Sequence, residues 1–218
     1  MIDIVFPKEN EKEFIKVAIK LDYSNLCFIY NLKDFKKIKK IENKNIKIHY
    51  GIISKPNKIQ EARKLTDLVI VKNSEKNRST FEQGKPDMIF SLEDGTHPDF
   101  IYFRNSGLNQ VYCKLAKKNY TIIALNFNLL LSSRNKIKII GRMMQNIKLC
   151  KKYKVPIAIA SLTDNPMNMR NPKDLTSLST VLGMDTQQSK TCTNLILNKI
   201  KNNIDFKKSG IKGIKIID

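Results

Sequence analysis

From residue 2 to about residue 203 the chain alternates short apolar runs with amphipathic stretches, and this alternation limits its fold more than any other feature. Apolar runs of about four to eight residues read as strands, and stretches with an apolar residue at about every third or fourth position read as helices. Strands are expected at residues 3–6, 25–30, 46–53, 68–71, 88–90, 121–127 and 155–161, with helices at 10–21, 32–41, 56–64, 74–83, 107–119, 134–153, 171–183 and 185–203. Helix signals mark several boundaries. Asn10 with Glu13 suggests an N-cap with an acidic third residue, Pro56 suits a first turn, and Gly84 and Gly183 suit C-terminal caps. The stripe Ile137, Ile140, Met144, Ile147 and Cys150 defines the expected buried face of the long helix, and Pro156 blocks its continuation. Strand–helix units repeated in this way make a mostly parallel sheet. In 218 residues they fit a single closed (β/α) TIM-like barrel over residues 1–204, with a Lys-rich tail at 205–218. An open doubly wound sheet is the alternative arrangement.

Hydrophobic residues make up 41%, enough for a core that needs no disulfide or metal staple. Cys27, Cys113, Cys150 and Cys192 lack CxxC spacing and sit among apolar neighbours, so they read as buried thiols in a reducing cytoplasm. No apolar run suits a membrane span, and no basic-then-apolar signal region opens the chain. The formal net charge is +20, from 40 Lys+Arg against 20 Asp+Glu, which calls for a polyanionic partner: RNA, DNA or an acidic membrane. Only six of those 40 cations are Arg, leaving 34 Lys, and the richness in Ile, Lys and Asn points to codon bias as a contributor. Against that background an Arg is informative, because planar two-pronged contacts resist exchange for Lys.

Motifs for independent chemistry are missing. There is no Gly-rich cofactor loop or Walker A loop, and no Ser/His/Asp or Cys/His signature. The two histidines share no zinc-ligand spacing. His49 lies in a strand and reads as packed; His97 lies in a loop beside Asp94 and Asp99, where an acid–base or metal role is the sharper reading. Glu93, Asp94 and Asp99 read as a solvated acidic loop, or as carboxylates able to hold Mg²⁺ at an RNA interface.

Six segments, in order, resemble the ribonuclease P protein component 3 family, the archaeal and eukaryal p30-type subunit. Arg78-Ser79-Thr80-Phe81-Glu82 followed by Pro86-Asp87-Met88-Ile89 is similar to its basic helix and strand. Ser106-Gly107-Leu108-Asn109-Gln110-Val111-Tyr112-Cys113-Lys114-Leu115-Ala116 is similar to its Gly-Ile-Asp/Asn-His-Val-Leu-Ala-Lys-Leu-Ala motif. Residues 121–131 with Ser133-Arg134, and Arg142-Met143-Met144 through Lys151-Lys152-Tyr153-Lys154-Val155, continue the resemblance. Met169-Arg170-Asn171-Pro172-Lys173-Asp174-Leu175 and Gly183-Met184-Asp185 through Gln188-Ser189-Lys190 complete it. It covers residues 68–197; Gln110 replaces the family's usual His, and Lys173 an Arg.

The resemblance implies a barrel like that of polymerase-and-histidinol-phosphatase domains, without its metal-binding His pairs. It also implies a non-catalytic subunit that binds ribonuclease P RNA alongside the small component 2 protein and other ribonuclease P proteins. Precursor tRNA would be an indirect partner. The RNA would remove the 5′ leader with its own Mg²⁺, this chain binding no cofactor. The family's basic positions fall on Arg78, Arg104, Lys118, Arg170 and Lys190, with Lys114, Arg134 and Lys173 as further RNA-contact candidates. Asp174 is expected to be structural, and Arg170, close to it in sequence, to have a second role in pinning that helix. Lys207, Lys208, Lys212 and Lys215 belong to a tail that either orders on RNA or stays solvated. The competing functions are a metal-dependent phosphoesterase on the same barrel and a general RNA-binding or RNA-modifying protein with a nucleotide cofactor.

Overall fold

The computed structural model describes residues 1–74 and 77–209. Its strands are β1 (Ile2–Val5), β2 (Asn25–Asn31), β3 (Lys47–Ile53), β4 (Val69–Lys72), β5 (Met88–Phe90), β6 (Ile122–Asn126) and β7 (Ile157–Ala160). They form one 7-stranded sheet in sequence order, every neighbouring pair parallel. A doubly wound sheet reverses its strand order at a switch point; this one never reverses and curls back on itself instead. Just beyond β7, Leu162 N donates to Ile4 O (2.9 Å) and Phe6 N to Thr163 O (2.8 Å), bringing the last strand to the first. Asp3 strengthens this seam from its buried side chain, Oδ1 accepting from Ser161 N at 2.8 Å, and burial pushes its carboxyl up to about 6. The chain folds as a nearly closed parallel barrel.

Alternation along each strand separates two apolar layers. Ile2, Ile4, Cys27, Ile70, Phe90 and Ala160 face the barrel interior with their neighbours. Their alternates Val71, Ile89, Ile123 and Ile159 face outward, under α3 (Ile59–Leu65), α5 (Gln110–Asn119), α7 (Lys136–Tyr153) and α8 (Pro172–Val181). Around β1 to β3 a third cluster packs Phe14, Ile15 and Ala18 of α1 (Glu11–Lys20) against Val5, Leu26 and Phe28. All four cysteines are buried and free.

The last helix, α9 (Thr186–Ser209), closes the end at which the strands begin. Cys192 still belongs to the outer layer, but Ile196 and Ile200 join the interior core. Its polar side chains then tie down the loops entering β4, β5 and β6. Lys199 donates to Tyr120 O (3.0 Å), Asn203 to Asp67 O (2.7 Å) and Lys207 to Thr66 O (2.9 Å). Asp205 to Lys208, assigned to the tail on sequence, are therefore helical, and Lys207 is anchored to Asp67 as well. The remainder of the tail, with Lys212 and Lys215, lies outside the described residues.

Several helices differ from the sequence expectation. The helix expected at 32–41 stops at Phe35, as α2 (Leu32–Phe35), and Tyr50 OH holds the following loop through Ile41. The one expected at 74–83 is a short α4 (Asn77–Ser79) running into a wide turn closed by Lys85 N on Thr80 O (3.1 Å). Gly84 is no left-handed cap. Lys85 takes that role with φ 49°, and Gly84 lies against Ile59, whose Cδ1 would have to shift to admit a Cβ. A short α6 (Phe127–Ser132), absent from the sequence reading, begins where Asn126 Oδ1 accepts from Leu129 N (3.1 Å). Asn109, Asn135 and Asn171 cap α5, α7 and α8 in the same way. Asn10 does not cap α1: its side chain accepts from Lys8 N and donates to Asp164 O, bridging the loops that leave β1 and β7.

Candidate nucleic-acid interface

The loop from β5 to α5 is set by α7. The buried face of α7 is Ile139, Arg142, Met143, Asn146, Ile147 and Cys150, rotated from the expected stripe, so that Ile137 is 81% exposed. An apolar-periodicity count misses this face because two of its members are polar. Arg142 is 0% exposed. Its guanidinium donates to Asp99 Oδ1 (2.8 Å), Glu93 O (3.0 Å), Gly95 O (2.7 Å) and His97 O (2.6 Å), filling a fork that an ammonium cannot match. Asn146 donates to Glu93 Oε1 (2.9 Å) and Ser106 O (3.0 Å), and Gln145 brackets the Arg104 backbone from both sides.

The three loop carboxylates consequently separate, and the solvated-cluster reading is corrected for two of them. Glu93 is fully buried, and burial pushes its carboxyl up to about 7. Asp99 accepts from Arg142, whose guanidinium holds the carboxyl low against a partial burial that would raise it. Asp94 remains near the surface, 3.7 Å from Lys72. His97 contributes its backbone oxygen to Arg142. His49 is half-buried and hydrogen-bonds Asn25 Oδ1 through Nε2 (3.0 Å), which matches the packed reading, and burial lowers its pKa. Among the described residues no three His, Cys, Asp or Glu side chains come together as a metal-ligand set.

The barrel distributes the basic candidates over separate surfaces. Arg78, Arg104 and Arg134 sit on segments that leave the C-terminal ends of β4, β5 and β6. Arg78 is exposed and paired within its own turn to Glu82 (3.0 Å). Arg104 reaches Asp99 (3.5 Å) and lies over Gly141, where a Cβ would come within 2.5 Å of Arg104 Nε. Arg134 is exposed and enters no ion pair among the described residues.

Arg170 lies on the flank. It donates to Met167 O (3.1 Å) and Met169 O (2.8 Å) and stacks over the Phe127 ring at 5.5 Å. It makes no ion pair with Asp174 among the described residues, so the expected pin is absent. That segment is held instead by Tyr23 OH on Arg170 O (2.9 Å) and by Asn171 Nδ2 on Leu21 O (3.2 Å). Lys173 and Asp174 are exposed in the first turn of α8, where a carboxylate favours the helix. Lys190 is exposed on α9, and Gln110 is exposed at the start of α5.

Lys114 and Lys118 are brought together. They line a concavity of about 430 Å³ at the end of the barrel where the strands begin, with Lys117, Tyr120, Lys154 and Pro156. Lys117, Tyr120 and Lys154 were not singled out on sequence, because they gather only when the ends of α5 and α7 meet. The remaining Arg, Arg63, is structural: it donates to Lys85 O (2.7 Å) and lies 3.6 Å from the buried Asp87 carboxylate.

The family model described as RNase P subunit p30 matches residues 2–208. The chain belongs to the RNase P subunit p30 family. Proteins named ribonuclease P protein component 3 are similar to this p30-family chain at low identity. The one from Methanosarcina barkeri is 28% identical over 170 residues, covering 76% of this chain and 65% of that protein. The one from Methanosarcina acetivorans is 28% identical over 179 residues, 80% of this chain and 69% of that protein. The chain thus spans about two thirds of the length of these relatives. Among solved structures, a chain in the cryo-EM structure of archaeal ribonuclease P with mature tRNA superposes with TM-score 0.80 at 20% identity, covering 100% of this chain and 98% of that one. A prolidase complexed with N-methylphosphonate-L-proline reaches TM-score 0.53 at 5% identity, covering 99% of this chain and 76% of that one. Both likenesses concern the fold. No helix among the described residues is long and apolar enough to cross a membrane.

Proposed function

We propose that this p30-family chain is a protein subunit of ribonuclease P that binds and braces the catalytic RNA while the RNA removes the 5′ leader of precursor tRNA. One observation carries the reading: the p30 family model matches residues 2–208, essentially the whole barrel. The physical chemistry is consistent with it. A net charge of +20 on a rigid barrel favours a polyanion, and exposed Arg and Lys side chains neutralise phosphates by releasing condensed counterions. Arg78, Arg104, Lys118, Arg170 and Lys190 are the proposed RNA contacts, with Lys114, Arg134 and Lys173 beside them. Mg²⁺ belongs to the RNA catalyst in this reading, and the site of action is the cytoplasm. The component 2 protein is the proposed protein partner. The apolar tip at Phe100 to Phe103, where Ile101 and Tyr102 are 94% and 95% exposed, is a surface suited to such a contact.

Reconstitution tests this directly. The cognate RNA is assembled with its other proteins, with and without this chain, and precursor tRNA cleavage is followed at moderate Mg²⁺. Faster or lower-Mg²⁺ cleavage with the chain present is expected. Equal rates in both assemblies, or cleavage by the chain without RNA, would overturn the proposal.

A further inference from the structure

We infer that the lysine concavity between the ends of α5 and α7 is an RNA-backbone site separate from the arginines at the other end of the barrel, so that one molecule engages two segments of RNA. This rests on the RNA-binding reading above and adds a second surface to it.

Placement is the first argument. All strands are parallel, so segments that leave strands and segments that enter them lie at opposite ends. Arg78, Arg104 and Arg134 leave β4, β5 and β6; Lys118, Tyr120 and Lys154 lie just before β6 and β7. Two phosphate-binding surfaces on opposite ends of a packed barrel cannot serve one continuous short contact.

Charge is the second. Lys114, Lys117, Lys118 and Lys154 line one concavity, all four are exposed, and none enters an ion pair among the described residues. Among the described residues no acidic side chain lines the concavity, whereas some cations elsewhere are paired locally, as Lys8 is with Asp164, Lys151 with Asp185 and Lys207 with Asp67.

Backbone conformation is the third. Tyr120 (φ 52°) and Lys154 (φ 54°) each end their helix in the left-handed region, the position at which glycine is ordinarily favoured. Both positions carry long side chains instead, and those side chains line the concavity. Tyr120 is 65% exposed and offers an aromatic surface for an unpaired base beside lysines for its phosphates. Its backbone is fixed from behind by Lys199 at 3.0 Å.

The same left-handed geometry supplies a test that separates binding from folding. Lys154→Gly removes a cation and relieves backbone strain, so it is expected to raise the thermal midpoint while weakening RNA binding. The triple variant Lys117→Gln, Lys118→Gln, Lys154→Gly is measured as full-length protein against the cognate ribonuclease P RNA across a salt series. The slope of log affinity against log salt is expected to fall by about two, with about tenfold or more weaker binding at low salt. A triple variant that binds with the wild-type slope, while an Arg78→Ala, Arg134→Ala control flattens it, would overturn the second site and leave the RNA-binding reading intact. Wild-type protein that ignores the RNA at low salt would remove both.

Discussion

Arg142→Lys is the most informative single change in this barrel, because it keeps the charge and removes only the fork. The wild-type guanidinium satisfies four acceptors from a fully buried position: the Asp99 carboxylate and the backbone oxygens of Glu93, Gly95 and His97. A lysine ammonium has three donors at one point on a different stem. It can hold Asp99 and one carbonyl, which leaves about two charge-assisted bonds unmade. Each such bond contributes about 1.5–3 kcal/mol. Partial relaxation of the loop lowers the total, and the expected cost is about 3 kcal/mol, near the lower edge of about 3–5 kcal/mol for breaking a buried ion pair outright. For a domain of this size that corresponds to a fall in Tm of about 6–12 °C. Denaturant and thermal melts give the global figure. Hydrogen exchange should localise the damage, with faster exchange at the Asn105 amide, which donates to Asp99 Oδ1 at 2.9 Å. A variant within about 0.5 kcal/mol of wild type, with unchanged exchange, would refute the claim that the fork fixes this loop.

Further expectations follow from the same geometry. Burial raises the Glu93 carboxyl from its ordinary 4.5 to about 7, so the folded state holds a proton that the unfolded chain releases between those values. Wild-type stability should therefore fall as pH rises from 4.5 to 7, and the advantage of Glu93→Gln should grow across that window to roughly 3 kcal/mol at pH 7.5. Asp3, raised to about 6, tilts the profile in the same direction, so urea melts at several pH values must compare the variant with wild type throughout. Gly107 has φ +76°, and a Cβ there would stand 3.0 Å from the Leu92 carbonyl carbon, a backbone atom that cannot swing aside. Gly107→Ala should cost about 2 kcal/mol or more, read as a lowered denaturation midpoint; an unchanged midpoint would show that the loop yields. At the other candidate surface, Arg78→Ala combined with Arg134→Ala should reduce the salt slope of RNA binding by about one to two without lowering Tm, since both side chains are exposed.

The sequence by itself determined the parallel strand–helix units, because strand and helix periodicities are local and each unit announces its own burial; their closure into a barrel instead of an open doubly wound sheet was decided by the unreversed strand order and the contact of β7 with β1. It also determined the buried thiols, the packed His49 and the surplus of positive charge, all of which depend on residue type and near neighbours. Family membership was legible too, through six ordered segments such as residues 106–116 and 169–175. Tertiary structure alone decided which cations share a surface. Lys118 and Lys154 are distant in the chain and meet only because α5 and α7 end side by side, whereas Arg170, though near Asp174 in sequence, turns instead to Phe127. Glu93, expected in a solvated loop, and Arg142, outside the expected buried stripe, are both buried for a related reason. A polar side chain counts as solvent-facing in any pattern of hydrophobicity, and only a long-range partner, here a loop more than forty residues away, can draw it into the core.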